Sequence, residues 1–300
     1  MIIDDAQRIC NNAALPESVV STLRIARFPC FAIVILGLTL SGLALGGPSV
    51  DPLPDGISTP GYAPGRVPFH PGEQLFYTVS WQQLPVAFAR ISLRRDPGQG
   101  QEWLGEATVA TNKLVDVFYR MRAYLREEIP PQSLASTDVF IRHNENGRQT
   151  EYYVNFDRAD GQVETVRRKH DHVEVKRFQA NHPLGPIGAS LLAISQPIKV
   201  GGTMTLDVFA ATERYVVQFH VARRERIQIG ADDIPVFRVI PSILYVSNPK
   251  NHYKVRQAVI WISDDERHVP LRIEADTFVG RIYIDLAKEP RKEPPSPARL

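Results

Sequence analysis

Two adjacent carboxylates are among the residues of this sequence that could take part in acid–base chemistry. Asp264 and Asp265 are neighbours, but neighbouring side chains on an extended chain point to opposite faces, which is a poor geometry for sharing a proton. A polar turn between two strands, in which an aspartate accepts hydrogen bonds from its own backbone, explains the pair better. The sequence therefore predicts a hairpin turn here, and it predicts no catalytic residue.

Two histidines and a cluster of arginines could in principle bind ligands. His170 and His172 would share one face of a strand with Glu174 and could reach a Zn²⁺ or Cu²⁺ ion. The basic residues at 167–169 are more typical of a solvated strand edge, so we predict no metal site and no cofactor. The cluster at 223–226 holds three arginines and one glutamate, which favours a solvated face over a contact with an anionic headgroup.

The three tryptophans are the candidate ligand-binding residues. Trp81, Trp103 and Trp261 each lie within a predicted strand, where they could pack in the core or line a ligand cavity. Phosphate loops, nucleophile elbows, zinc-protease motifs and dinucleotide fingerprints do not occur after the first 47 residues. An enzyme stays possible, because a catalytic triad can assemble from distant residues.

The elements that must position these residues are mostly strands. Apolar residues recur at every second position, for example at Ala87, Ala89, Ile91 and Leu93, and this period is that of a half-buried strand. Polar turns at 144–147, 158–161, 230–233 and 263–267 separate such runs. Only 113–119 and 187–194 have the pattern of helices. These features predict a mainly all-β fold, an antiparallel curved sheet that closes into a barrel or half-barrel with one or two short helices.

The ends of the chain have different compositions from the part between them. Residues 1–47 contain Arg24 and Arg27 followed by an apolar stretch at 28–45, which predicts a signal peptide with an over-long n-region or an uncleaved anchor. A Pro/Gly-rich linker is expected at 48–67, a single β-domain at 68–287 and a disordered tail at 288–300. Both cysteines, Cys10 and Cys30, precede the β-domain, which excludes a disulfide within it.

Three segments carry a resemblance to a known family. They are Pro68-Phe69-His70-Pro71-Gly72-Glu73-Gln74-Leu75 with the strand at 77–81, the Pro183-Leu184 segment with its short helix and Val200-Gly201-Gly202, and Trp261-Ile262-Ser263-Asp264-Asp265 continuing to Val269-Pro270-Leu271. Together they resemble the bacterial exported family called domain of unknown function 3108. The resemblance implies an exported, β-rich domain and brings no catalytic residues with it.

These observations favour a non-enzymatic protein of the bacterial periplasm. The formal net charge of +2, from 35 basic and 33 acidic residues, gives no excess of cations for nucleic-acid binding. We expect the curved sheet to bind a lipid or another amphiphile. The alternatives are an assembly factor that binds another envelope protein and, third, a hydrolase of envelope polymers. Membrane contact is expected only through residues 1–47, if they are retained as an inner-membrane anchor.

Overall fold

The structure, a computed structural model, describes residue 53 and residues 57–96, 102–246, 255–277 and 280–287. The predicted signal or anchor at 1–47 and the predicted tail at 288–300 lie outside the described residues. The helices are α1 (Lys113–Asp116) and α2 (Pro186–Ser195). The strands are β1 Gln74–Trp81, β2 Leu84–Arg95, β3 Trp103–Thr111, β4 Met121–Ile129, β5 Asp138–Glu145, β6 Arg148–Asp157, β7 Gln162–Lys169, β8 His172–Gln179, β9 Pro183–Leu184, β10 Thr203–Ala210, β11 Glu213–Ile229, β12 Asp232–Tyr245, β13 Val255–Ser263, β14 Pro270–Thr277 and β15 Gly280–Leu286.

All of these strands belong to one sheet, in the order β8-β7-β6-β5-β4-β3-β2-β1-β15-β14-β13-β12-β11-β10-β9. The first and last strands pair in its middle, with Tyr77 opposite Leu286 and Trp81 opposite Ile282. Among the described residues, two-residue turns connect β1 to β2, β5 to β6, β7 to β8, β10 to β11 and β11 to β12. At the turn predicted for 144–147, Asn146 and Gly147 have φ of 51° and 84°, as a type I′ hairpin turn requires.

The sheet curls until its two ends meet through side chains. The Phe209 ring of β10 lies 5.4 Å from the Phe178 ring of β8 and 6.2 Å from the Phe156 ring of β6. Lys176 Nζ also donates to the Thr212 carbonyl at 3.4 Å. Among the described residues no strand pairing joins the two edges. The fold is therefore the curved antiparallel half-barrel that the sequence predicts.

One strand pair departs from the expected antiparallel pattern. Strand β9 runs parallel to β10, with Pro183 opposite Asp207 and Leu184 opposite Val208. A parallel pair needs a crossover connection, and helix α2 supplies it. The sequence offers too little helix for a parallel sheet, and this single pair of two-residue length is the exception that α2 makes possible.

The inner face of the curve carries the apolar residues, and helix α2 lies inside it. The alternation predicted for β2 is confirmed over most of the strand, since Ala87, Ala89 and Leu93 are buried while Arg94 is exposed; Ser92, on the polar face, is also buried. Helix α2 buries Ile187, Ala189, Leu191 and Leu192 against this surface. Within the described residues, neither helix is long and apolar enough to cross a membrane.

Candidate functional site

An apolar cavity of about 420 Å³ lies between helix α2 and the inner face of the sheet. Side chains of α2 form one wall, strands from both halves of the sheet form the opposite wall, and the chain before β1 covers one side. The lining residues include Ile187, Leu191 and Ile194 of α2, Leu75, Tyr77, Leu125, Met204, Phe219, Ile260 and Ile273 of the strands, and Tyr62, Pro68 and Phe69 of the preceding segment.

The mouth of this cavity is polar and carries two cations. Lys199 and Arg267 are both exposed and both lie among the lining residues, together with Gln196 and Thr203. Arg267 forms an ion pair with Glu73 at 2.6 Å. An apolar interior with a few polar groups at one end is the usual form of a small-molecule site, because burial provides affinity and the polar groups fix orientation.

Glu127 fixes the first turn of helix α2 against the sheet. It lies on the inner face of β4, fully buried, and its two carboxyl oxygens accept the backbone N–H groups of Ile187 and Gly188, each at 2.7 Å. The Ser136 hydroxyl donates to Glu127 Oε1 at 2.5 Å and accepts the Gly185 N–H at 2.9 Å. These bonds satisfy donors that a helix leaves without partners at its start.

The close fit at this end of the helix depends on glycine. A Cβ on Gly188 would lie 2.4 Å from the Leu134 carbonyl oxygen, and a Cβ on Gly185 would lie 2.5 Å from Glu127 Oε1. Glycine at these two positions therefore allows the helix to approach β4 closely enough for the carboxyl group to reach its backbone. The position of the cavity wall follows from this contact.

The other end of helix α2 is held by two loops. His268, in the turn between β13 and β14, has Nδ1 2.9 Å from the Ile194 carbonyl oxygen. The Gly65 N–H donates to Ser195 Oγ at 3.2 Å, and Gln196 Nε2 donates to the Ala63 carbonyl at 3.0 Å. The segment at 57–67 has no regular secondary structure, and these bonds hold it across the end of the helix.

A buried ion pair lies where the two ends of the sheet meet. Arg214 and Asp207 have side chains 3% and 0% exposed and are joined by two hydrogen bonds of 3.0 and 2.7 Å. Arg214 also donates to the Gln179 carbonyl at 3.1 Å. Burial raises the pKa of Asp207, while the Arg214 guanidinium and His182 act in the opposite direction. The pair therefore links β10 and β11 to the end of β8.

A second cavity, of about 380 Å³, borders this ion pair. Its lining includes Asp207, His182 and Arg158, with Gly61 and Tyr62 of the segment before β1. The Tyr62 hydroxyl accepts the Thr205 N–H at 3.1 Å. Tyr62 lines both cavities and therefore lies between them.

The three tryptophans lie at different places around the sheet. Trp81 ends β1 and Trp103 begins β3, and both are half-buried against the core. Trp261 lies on the other face of β13, where its Nε1 donates to Glu225 at 2.5 Å. The apolar cavity is lined by other residues. A role of the tryptophans in ligand binding stays a prediction.

The turn predicted at Asp264 and Asp265 is confirmed. Asp265 Oδ1 accepts the backbone N–H groups of Arg267 and His268 at 2.9 and 3.2 Å. Asp264 instead pairs with Arg224 at 3.0 Å. The two carboxylates therefore have separate structural partners.

The histidines lie at one edge of the sheet, and the arginines lie on a solvated part of β11. His170 occupies the turn after β7 with φ of 49°, and His172 begins the edge strand β8. The described residues contain no group of three or more side chains suited to holding a metal ion. The arginines of β11 are exposed, and each pairs with a carboxylate: Arg223 with Glu225, Arg224 with Asp264 and Arg226 with Asp233.

The sequence reasoning missed the residues that build the site. Glu127 carried a usable signal, because it alternates with Ala123, Leu125 and Ile129 and therefore lies on the apolar face of its strand. Asp207 and Arg214 gave no such signal. Their face of the sheet is buried only because the far end of the sheet packs against it.

Fold and site together define a class: a curved antiparallel β-protein in which helix α2 and the inner face of the sheet form an apolar cavity. The chain belongs to the family described as "Protein of unknown function (DUF3108)", which matches residues 77–287. This match confirms the resemblance noted in the sequence. None of the curated proteins compared with the chain matches it.

Several solved structures are similar to the chain, and they include the following two. One is a β-barrel-like protein of domain of unknown function DUF1849 from Brucella abortus, with 7% identity, a TM-score of 0.47 and coverage of 72% of this chain and 98% of that one. The other is a candidate exported protein with a YmcC-like fold from Bacteroides fragilis NCTC 9343, with 10% identity, a TM-score of 0.31 and coverage of 75% and 98%.

Proposed function

We propose that the protein binds a single-chain anionic amphiphile without transforming it, with the apolar tail in the cavity beneath helix α2. The observation that carries this proposal is the cavity of about 420 Å³ with a mainly apolar wall. Its size falls in the range of about 300–1,000 Å³ that ligand pockets occupy. Burial of an alkyl chain there would contribute about 0.8 kcal/mol for each methylene group removed from water.

The charges at the mouth support an anionic head group. Lys199 and Arg267 are exposed at the rim, and the partner of Arg267 is the Glu73 carboxylate. A ligand carboxylate or phosphate could replace that partner, and the amide of Gln196 and the hydroxyl of Thr203 could supply further hydrogen bonds. The cations would then set the orientation of the ligand, while the cavity would provide most of its affinity.

The proposed site of action is the periplasm. The support is the sequence at 1–47, where arginines precede an apolar stretch, as they do in an export signal or an inner-membrane anchor. A carrier or sensor of amphiphiles suits this compartment, because the apolar chains of lipids that cross it must be kept out of water.

A cavity-filling substitution tests the proposal. We expect Met204→Trp to weaken binding of a fluorescent long-chain fatty acid by roughly tenfold or more, because the indole would occupy space that the tail needs. Met204 lines the cavity. Gln218→Trp is the matched control, since Gln218 lies on the partner strand with its side chain exposed and hydrogen-bonded to Thr205. Equal affinity of both variants and the wild type, at unchanged melting temperature, would refute cavity binding.

The chemical class of the ligand needs the protein from its own envelope. Native mass spectrometry after gentle purification, followed by organic extraction, should reveal a reproducible added mass of an amphiphile that Met204→Trp loses. A clean apo mass with a protein that co-purifies would instead favour the assembly factor. Turnover of an envelope polymer by the wild type would favour the hydrolase.

A further inference from the structure

We infer that the end of the molecule formed by the β1–β2 turn and helix α1 is a docking surface for an anionic lipid bilayer. Four large apolar side chains are exposed there: Leu84 by 59%, Leu114 by 74%, Val117 by 73% and Phe118 by 48%. We call these four residues the apolar tip. Large exposed apolar groups that are gathered at one place on a protein surface mark an interaction site.

The apolar tip is held outward by a dedicated set of hydrogen bonds. Asn112 caps α1 by accepting the Val115 N–H at 2.9 Å, and its Nδ2 donates to the Pro85 carbonyl at 2.6 Å. The second bond joins α1 to the start of β2, where Leu84 is the first residue. Asp116 joins Arg122 and the Thr111 hydroxyl. The exposure of the four side chains is therefore imposed by the fold and does not result from a frayed loop.

Charge favours an anionic membrane as the occupant. Lys113 and Arg120 are exposed on either side of the apolar tip. The hairpin that carries exposed Arg148 is fastened beside them, because Asn146 and Arg120 exchange two hydrogen bonds of 2.8 Å. Of the nearby carboxylates, Asp116 is paired with Arg122. Glu145 lies 3.7 Å from His143, but burial lowers the pKa of that imidazole, so Glu145 keeps its charge and offsets one of the three exposed cations. Apolar side chains that enter the acyl boundary, flanked by cations that meet lipid phosphates, are the features of an interfacial anchor.

The apolar tip is separate from the cavity. Strand β1 begins beside Glu73, the partner of Arg267 at the cavity mouth, and ends at Trp81, next to the turn that leads to Leu84. Its eight residues span roughly 25 Å. A molecule docked through the tip would therefore hold its cavity mouth on the side away from the bilayer, and the docking would not depend on the proposed ligand.

A position-specific probe tests the docking even if residues 1–47 also bind lipid. In the full chain with Cys10→Ser and Cys30→Ser, Val117→Cys is labelled with an environment-sensitive fluorophore and mixed with phosphatidylglycerol vesicles that contain brominated acyl chains. We expect strong quenching. The same label at Ile240→Cys, which is 41% exposed on β12, is the control and should remain unquenched. Equal quenching at the two positions would overturn the proposal.

Two further measurements separate the contribution of the apolar side chains from that of the lipid charge. Adding Leu114→Ser and Phe118→Ser to the labelled chain should weaken the vesicle-dependent quenching by roughly tenfold or more in apparent affinity, because the apolar groups that insert are lost. Replacing phosphatidylglycerol by phosphatidylcholine should also weaken it. A label that is shielded before vesicles are added, with a mass that doubles with concentration, would show that a second copy covers the tip and would refute docking to a membrane.

Discussion

Asp207→Ala should lower the free energy of unfolding by about 3–5 kcal/mol, because it leaves the Arg214 guanidinium buried without its carboxylate partner. Both side chains are almost fully removed from water and are joined by two hydrogen bonds. A cation in that position can neither lose its proton nor reach solvent. The measurement is equilibrium unfolding in urea, followed by far-ultraviolet circular dichroism.

Two control variants test whether the loss of stability results from the burial of the ion pair. Glu164→Ala breaks an exposed pair with Arg177, whose side chain is 60% exposed, and should cost at most about 1 kcal/mol. The double change Asp207→Leu with Arg214→Met removes both charges and should recover much of the lost stability. If Asp207→Ala costs no more than Glu164→Ala, the pair does not hold the two ends of the sheet together.

The strand pattern was predictable because its physical cause is local. The strands that alternate one apolar and one polar residue, such as β2 and β6, fold with the predicted face inward. The turn at Asn146 and Gly147 follows from which residues tolerate positive φ. Both helices appear within a few residues of their predicted bounds, and the turn at Asp265 forms through its own backbone.

The features that the sequence did not predict depend on contacts between distant parts of the chain. Val173 and Val175 have a strand pattern, yet they are 55% and 40% exposed. The other face of β8 packs Phe178 against Phe209 and places Lys176 3.5 Å from Glu213. Because the two ends of the sheet meet, the face of β8 that carries Lys176 and Phe178 lies inside, and the face that carries the two valines is exposed. The residues near the valines in sequence do not indicate this. The inward-facing charge of Lys176 also disfavours pairing of the edge strand β8 with a strand of another chain.

The cavity was foreseen only as a consequence of curvature. A long curved sheet can enclose more volume than its own side chains fill, and the cavity lies on the concave face as this would require. The residues that shape the space come from helix α2, the segment before β1 and strands from both halves of the sheet. Their meeting depends on the inward position of the helix, which in turn depends on Glu127 and on two glycines. No motif or residue spacing in the sequence indicates the contact between Glu127 and the start of helix α2.

Glu127→Ala should lower the free energy of unfolding by roughly 3 kcal/mol and weaken fatty-acid binding, because buried donors at the start of helix α2 lose their acceptor. The donors are the N–H groups of Ile187 and Gly188 and the Ser136 hydroxyl. Ile187 itself lines the cavity, so a shift of this turn would change the shape of the site. Urea unfolding and fluorescent fatty-acid titration measure the two effects.

Glu127 should also make the stability depend on pH. Burial raises the pKa of Glu127 to about 7 in the folded protein, against the ordinary 4.5 in the unfolded chain, although the three hydrogen bonds oppose the rise. Between these values the folded protein retains a proton that the unfolded chain has released. The stabilising contribution is therefore fully present below pH 4.5 and is lost as the pH rises through about 7. The pKa difference corresponds to roughly 3 kcal/mol.

The comparison with Glu127→Gln isolates this effect, because glutamine keeps the shape of the side chain and does not titrate. The stability of the wild type relative to Glu127→Gln should be greater at about pH 5 than at about pH 8, and the change should be of the order of 3 kcal/mol. Glu164→Gln, at a partly exposed side chain on β7, controls for the substitution itself. A difference that is constant with pH would mean that Glu127 does not titrate in this range. A difference that grows as the pH rises would mean that the ionised carboxylate is the form that caps helix α2, with the helix N–H groups outweighing the cost of burying the charge.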